Sequence, residues 1–223
     1  MIAILLAGGR SERVGIDKPT LQLNGEMLVE RHLRQLRAAG LRKAVIVCHP
    51  GNEPLIRART GVKTALQRGG SMSSAVLTGM QQTKARSICA VCVNDIVSDE
   101  DYQQLFALSH REGTILIPTV PLERSFPGGY LELNPDTKAV RRIVEKPHGG
   151  CPAGAAANIM IHQIFGRSLL TRLKSLLSDG IDYETAVNKL IESGTTVIAV
   201  PIRWWVAIKT PGDIARCQAA LAQ

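Results

Sequence analysis

The chain has 223 residues, 45% hydrophobic and 21% charged, which is enough apolar material to bury a core without disulfide staples. Wholesale disorder is therefore excluded, and no run approaches the roughly 18 uninterrupted apolar residues that a membrane span needs. The 27 Lys and Arg against 19 Asp and Glu leave a net charge of +8, which points to an anionic partner: nucleic acid, a lipid surface or a phosphorylated small molecule.

Residues 1–7 are apolar, carry no basic leader and run straight into glycines, so they read as a first strand rather than a signal peptide. A helical face repeats over 26–39 and stops at Gly40, followed by a buried-strand run over 44–48. Further along, the pattern predicts a helix over 73–82, a strand over 88–93, a helix over 99–110 and a strand over 114–120. This alternation argues for an α/β fold with a mixed, mostly parallel sheet flanked by helices. After Pro121 the pattern changes. Pro127, Gly128 and Gly129 lead into short strands at 130–133 and 140–144, a β-hairpin inserted into the α/β frame, and 148–154 has the composition of a loop. A strand over 158–162, helices over 165–177 and 183–192, a strand over 195–200 and a last helix from about Gly212 complete the chain. One domain over 1–223 is expected.

Five cysteines are present, Cys48, Cys89, Cys92, Cys151 and Cys217. Cys89 and Cys92 form a C-x-x-C within an apolar run, with no second pair to complete a zinc site, so the cysteines read as small buried residues in a reducing cytoplasm. Eight aromatic residues offer little for single-strand stacking. No helix-turn-helix, RNP or zinc-finger signature appears, so neither nucleic acid nor a membrane is the expected partner. The aliphatic C-terminal helix is compatible with core packing or with a homo-oligomer.

The strongest local signal is Leu6-Ala7-Gly8-Gly9-Arg10-Ser11-Glu12-Arg13, followed by Asp17-Lys18-Pro19. A strand ending in Gly-Gly lets backbone N–H groups approach an anion closely, and Arg10, Arg13 and Lys18 add three cations. The spacing fits neither a Walker A loop nor a dinucleotide fingerprint. The segment resembles the signature of nucleotidyltransferases with a glycosyltransferase-A-like, Rossmann-like fold. That group includes the sugar-1-phosphate nucleotidylyltransferases and the molybdenum-cofactor guanylyl- and cytidylyltransferases.

Later segments resemble the same family in the same order. Gln67-Arg68-Gly69-Gly70-Ser71 resembles its base-recognition segment, and Asn94-Asp95 its metal-binding site after a central strand. Glu145-Lys146-Pro147 is similar to the E-K-P motif of the sugar-phosphate branch, and Asn158 matches that branch's sugar-binding Asn, with Met160 where glycine is usual. Trp205 to Asp213 resembles the last motif, but Ala207 stands where the family has its second metal-binding Asp.

The resemblance implies that Leu6, Ala7, Gly8, Gly9, Arg10, Ser11, Gln67, Gly70 and Ser71 hold the nucleotide. Arg13 would grip the β- and γ-phosphates and Lys18 would offset charge at the α-phosphate. Asp95 would bind Mg²⁺, a cation satisfied by one or two carboxylates plus phosphate oxygens. Glu145, Lys146, Asn158 and Lys209 would meet the acceptor. The implied partners are an NTP and a phosphorylated small molecule, with 1–120 as the nucleotide half and 121–223 as the acceptor half. The E-K-P motif and the hairpin favour a sugar 1-phosphate. A molybdenum-cofactor-type acceptor remains the alternative, and Ala207 keeps open a non-catalytic nucleotide-binding regulatory module. In-line phosphoryl chemistry needs positioning and charge rather than a nucleophile–base pair. None of the five histidines has an evident partner, and His110 and His162 are expected to be core or surface residues.

Overall fold

A computed structural model describes residues 1–9, 17–108, 111–122, 128–145 and 155–221. The first apolar run forms β1 (Ile2–Ala7), buried from Ala3 onward because helices cover both faces. A 3-10 turn at Lys18–Thr20 leads to a small ribbon, β2 (Gln22–Leu23) and β3 (Glu26–Met27). Asn24 and Gly25 close that ribbon with positive φ, so the expected helix at 26–39 starts two residues late, as α1 (Leu28–Ala38). Then come β4 (Ala44–Cys48), α2 (Glu53–Thr60), β5 (Thr64–Leu66), α3 (Met72–Gln81) and β6 (Ser87–Cys92). Neither α2 nor β5 stands out in the hydrophobic pattern. They are short and mostly exposed, with Ile56 the buried anchor of α2.

The chain continues through β7 (Asp95–Val97), α4 (Asp99–Ala107), β8 (Thr114–Thr119), β9 (Gly129–Leu133), β10 (Val140–Glu145) and β11 (Ala156–Ala157). It ends with β12 (Ile161–Phe165), α5 (Arg167–Ser178), α6 (Tyr183–Glu192), β13 (Thr196–Pro201), β14 (Trp205–Ala207) and α7 (Pro211–Leu221). The strand expected at 158–162 is displaced to β12. Asn158 instead gives its backbone N–H to Gly129 O at 3.0 Å and stays with the small sheet. Ser98 caps α4, its hydroxyl accepting from Asp101 N.

Seven strands form the main sheet in the order β13-β8-β12-β6-β1-β4-β5. Only β12 runs antiparallel to its neighbours, so β1, β4 and β6 all end at one edge. Ligands of open α/β sheets bind at that carboxyl edge. One face packs Ile4, Val76, Leu173 and Val187 beneath α3, α5 and α6, and the other packs Leu5, Leu33, Tyr102 and Leu105 beneath α1 and α4. A third cluster, Leu23, Leu28, Ile96, Ile208 and Cys217, seats the β7–β14 ribbon on α7.

The expected hairpin is present as β9 and β10, and β11 adds a third strand in the order β10-β9-β11. The free edge of β10 is covered by Asn188 of α6. Its side chain donates to Ile143 O and accepts from Ile143 N, both at 2.8 Å, as a neighbouring strand would. Among the described residues, no helix is long and apolar enough to cross a membrane.

Candidate active site

The site is built where β1 and β6 end side by side, with Leu6 in register with Cys92. Leu6 and Ala7 are buried, and the backbone emerges through half-buried Gly8 to exposed Gly9. Arg10, Ser11, Arg13 and Lys146 lie outside the described residues. From the neighbouring edge, Gln67 N–H donates to Cys48 O at 2.8 Å, and its side-chain amide donates to Ser71 O and Ser74 Oγ, both at 2.9 Å. Its carbonyl oxygen lies against Gly8 so closely that a Cβ there would overlap it. A side chain at Gly8 would therefore have to displace the Gln67 side chain, and Gln67 braces the loop over Gly70 and Ser71, whose hydroxyl caps α3. In this arrangement the Gln67 amide hydrogens are used within the loop rather than offered to a ligand.

The chain re-enters at Asp17, whose carboxylate gathers three side chains. It accepts from Thr20 Oγ1 at 3.0 Å and from Asn52 Nδ2 at 3.1 and 3.2 Å, and it meets His49 Nε2 at 3.0 Å. Asn52 Nδ2 also donates to Ala7 O at 2.9 Å, tying the group to the end of β1. His49 Nδ1 accepts from Gly51 N–H at 3.0 Å, so a neutral ring carries its proton on Nε2 and donates it to Asp17. This latch anchors the turn that begins at Lys18, which Pro19 stiffens. Sequence reasoning missed Asp17, His49 and Asn52 as a unit. The signal available was a polar tight turn, His49-Pro50-Gly51-Asn52, directly after a buried strand.

Asp95 opens β7 and is 7% exposed. Its Oδ1 accepts from Trp205 Nε1 at 2.8 Å and its Oδ2 from Met160 N at 3.2 Å. Burial pushes the carboxyl up to about 6, against the pull of the Trp205 bond and the Lys209 charge, and the nearby charge of Glu145 adds to the rise. Beside it, Cys92 Sγ donates to Asn94 Oδ1 at 3.0 Å. Burial pushes that thiol up to about 12, with the Asp95 charge adding and Asn94, Lys18 and Lys209 pulling it down. Cys92 is half-buried rather than buried as expected, whereas Cys48, Cys89 and Cys217 are buried and Cys151 lies outside the described residues.

Ala207 pairs in register with Asp95 across the β7–β14 ribbon and is 5% exposed. Just beyond, Asp213 Oδ2 accepts from Lys209 N at 2.9 Å, Thr210 N at 2.7 Å and Thr210 Oγ1 at 3.0 Å, fixing the backbone from which the Lys209 side chain leaves. Among the described residues, no group of three or more His, Cys, Asp or Glu could hold a metal ion. Among the described residues, Asp95 brings the carboxylate to this point. A single carboxylate with lone pairs remaining fits Mg²⁺, which takes its other ligands from phosphate and water, but not a closed protein cage.

The second group of expected residues converges on Gly129. Glu145 is its register partner on β10, and Asn158 donates its backbone N–H to the Gly129 carbonyl. A Cβ at position 129 would stand 2.5 Å from Glu145 Oε2 and 3.2 Å from Asn158 Nδ2. Behind Asn158, its Oδ1 meets His162 Nε2 at 3.0 Å, and His162 Nδ1 meets Tyr183 Oη at 3.0 Å. On the opposite face of the sheet, His32 Nδ1 meets Tyr102 Oη at 2.7 Å and Nε2 meets Val93 O at 3.1 Å, next to the turn that carries Asp95. Both rings are fully buried, and burial lowers His32 to about 4 and His162 to about 3. The expectation that the histidines have no partners is corrected at His32, His49 and His162, because contacts from residues 21 to 70 positions away supply them. His110 lies outside the described residues.

Electrostatic reach links the two groups: Lys18 and Lys209 act on Cys92, and Lys209 and Glu145 act on Asp95. Two solved structures share the fold over 99% of this chain. A protein assigned as a glucose-1-phosphate thymidylyltransferase from Bacillus anthracis, in complex with a sucrose, superposes with a TM-score of 0.78 at 16% identity over 95% of its own length. A UDP-glucose pyrophosphorylase complexed with UDP-glucose gives 0.82 at 14% identity over 98% of its length. In sequence, the chain is 36% identical over 92 residues to a probable molybdenum cofactor guanylyltransferase of Opitutus terrae, a match covering 40% of this chain and 46% of that relative. The family model of the MobA-like NTP transferase domain matches residues 3–194, and the chain belongs to that family.

Proposed function

We propose that the chain transfers NMP from an NTP to a phosphorylated acceptor and releases pyrophosphate, with a sugar 1-phosphate as the acceptor. The observation that carries this reading is the gathering of Lys18, Lys209, Asp95 and Glu145 at the carboxyl edge of β1 and β6, where the backbone emerges through half-buried Gly8 to exposed Gly9. In such a transfer an acceptor phosphate oxygen attacks the α-phosphorus in line, the bond to the bridging oxygen breaks, and pyrophosphate leaves with the electron pair. The protein's task is positioning and charge.

Gly8 and Gly9 give backbone N–H groups access to phosphate oxygens, and Lys18, held by the Asp17 latch, offsets charge at the α-phosphate. Arg13 takes the β- and γ-phosphates. Asp95 would hold Mg²⁺, which when bound would neutralise phosphate charge. Lys209 adds a second positive charge on the side where Ala207 brings no carboxylate. Residues 1–120 supply the nucleotide end and 121–223 the acceptor end, where Glu145 and Asn158 flank Gly129 as an acceptor–donor pair suited to hydroxyl groups.

A second reading, a molybdenum-cofactor-type guanylyl- or cytidylyltransferase, is favoured by the family match and by the Opitutus terrae relative. Glu145→Ala separates the two. It raises the acceptor KM if the acceptor is a sugar 1-phosphate and leaves the rate unchanged if the acceptor is a pterin phosphate held elsewhere. Measuring pyrophosphate release with each acceptor class decides between them. Binding of NTP without any release would instead support the regulatory-module reading.

A further inference from the structure

His162 and Tyr183 have no part in the chemistry just described, yet both are fully buried behind Asn158. We propose that His162 is a positioning residue whose fixed Nε2–H tautomer turns the Asn158 side chain so that its NH₂ group faces the acceptor. The acceptor part of this inference rests on the proposed function; the tautomer does not.

The orientation follows from what lies on each side of the amide. On one side, Asn158 Nδ2 and Glu145 Oε2 both crowd the same point above Gly129, 3.2 and 2.5 Å from where a Cβ would stand. A carboxylate accepts only, so the amide's donor end is the one suited to that side. On the other side, Asn158 Oδ1 then faces His162 Nε2 at 3.0 Å, and that nitrogen has to donate. A buried neutral ring carries one proton, so Nδ1 is bare and accepts from Tyr183 O–H at 3.0 Å. Burial keeps the ring neutral, with its protonation lowered to about 3, so it does not offer donors at both nitrogens in the working range.

The result is a one-way chain: Tyr183 O–H to His162 Nδ1, His162 Nε2–H to Asn158 Oδ1, and Asn158 Nδ2–H outward. The His32 ring shows the same polarity where no amide assignment is involved. Its Nε2 meets the Val93 carbonyl, which can only accept, and its Nδ1 meets Tyr102 Oη. Locking Asn158 in this way makes the acceptor end discriminate by polarity. Two adjacent hydroxyls would meet a donor at Asn158 and an acceptor at Glu145.

The test has two arms. In ¹⁵N NMR of the whole protein between about pH 5 and 8, the range in which an ordinary histidine titrates, His162 is expected as a neutral Nε2–H tautomer; an Nδ1–H tautomer or a charged ring overturns the proposal. In kinetics, the NTP and sugar 1-phosphate that give wild-type turnover are used. His162→Leu should raise the acceptor KM about tenfold with the NTP KM unchanged, while His162→Gln, which can still donate to Asn158, restores most of the loss. Tyr183→Phe, a milder change, should raise the acceptor KM by a smaller factor. An acceptor KM that His162→Leu leaves unchanged, or that rises together with the NTP KM in both His162 variants, overturns the positioning role. Absence of turnover in the wild-type protein overturns the functional reading and the acceptor part with it, while the spectrum still decides the tautomer.

Discussion

Ala207 is the register partner of Asp95 across the β7–β14 ribbon, so its methyl group shares a face with the Asp95 carboxylate. Directly opposed Cβ atoms in such a pair lie about 4.5–5.5 Å apart, close enough for two carboxylates to share one cation. Ala207→Asp should therefore tighten the apparent Mg²⁺ affinity by about tenfold, read from a metal titration of pyrophosphate release. Without a cation, two buried carboxylates repel, and the same variant should lose about 1–3 kcal/mol of stability in EDTA. Equal Mg²⁺ dependence in variant and wild type would remove Asp95 as the metal ligand.

Lys18 and Asp17 are neighbours with separable contributions. Lys18→Ala should reduce kcat by at least about 100-fold, a scale typical of a lost transition-state charge, with the melting temperature nearly unchanged. Asp17→Ala leaves the ammonium in place but strips Thr20, His49 and Asn52 of their common acceptor. It should cost about 1–3 kcal/mol of stability and lower turnover as well. If Asp17→Ala melts early yet turns over normally, the latch is structural only.

Stability should depend on pH in a window set by three buried groups. His32 and His162 are lowered to about 4 and 3 from an ordinary 6.5. The unfolded chain therefore takes up protons that the folded one refuses as pH falls below 6.5. Each ring's contribution is complete above about 6.5 and is lost towards its folded value, at about 1.4 kcal/mol per pH unit. Asp95 acts oppositely: raised to about 6 from 3.8, it keeps a proton when folded that the unfolded chain has released, so its contribution falls as pH rises through that range. It cancels about one histidine, and net stability in EDTA should climb by about 1 kcal/mol per pH unit from about pH 4 to 6. Denaturant melts at several pH values check this, and His32→Gln should flatten the slope.

Two glycines offer a clean split between the two ends of the site. Gly8→Ala must displace Gln67 and the loop it braces, so the NTP KM should rise about tenfold with the acceptor KM little changed. Gly129→Ala must displace Glu145 or Asn158, and the reverse pattern is expected. Initial-rate kinetics with each substrate varied in turn distinguishes these outcomes.

Much of this architecture was legible from local signals. The first strand ends in Gly8-Gly9, the inserted hairpin opens at Gly128-Gly129 and turns at Asn134-Asp136, and Asn94-Asp95 follows a buried apolar run. What was hidden depends on contacts between distant residues of ordinary type. Asp17 meets His49 and Asn52 from 32 and 35 positions away, and His162 meets Tyr183 across 21. No periodicity marks such pairs. The displaced strand β12 has the same origin, since Asn158 is held to Gly129 and His162 rather than by its own β-propensity. Gln67 shows another side of this: its spacing before two glycines marks the loop, but its side-chain hydrogen bonds to Ser71 and Ser74 could not be read from that spacing.

The most direct test of the central claim is pyrophosphate release by the purified protein, with each of the four NTPs against a panel of sugar 1-phosphates in Mg²⁺ or Mn²⁺. Release that requires both an NTP and a sugar 1-phosphate, and that Lys18→Ala abolishes, is the predicted result. Silence across the whole panel, or release that is indifferent to the sugar 1-phosphate or to Lys18, would contradict it.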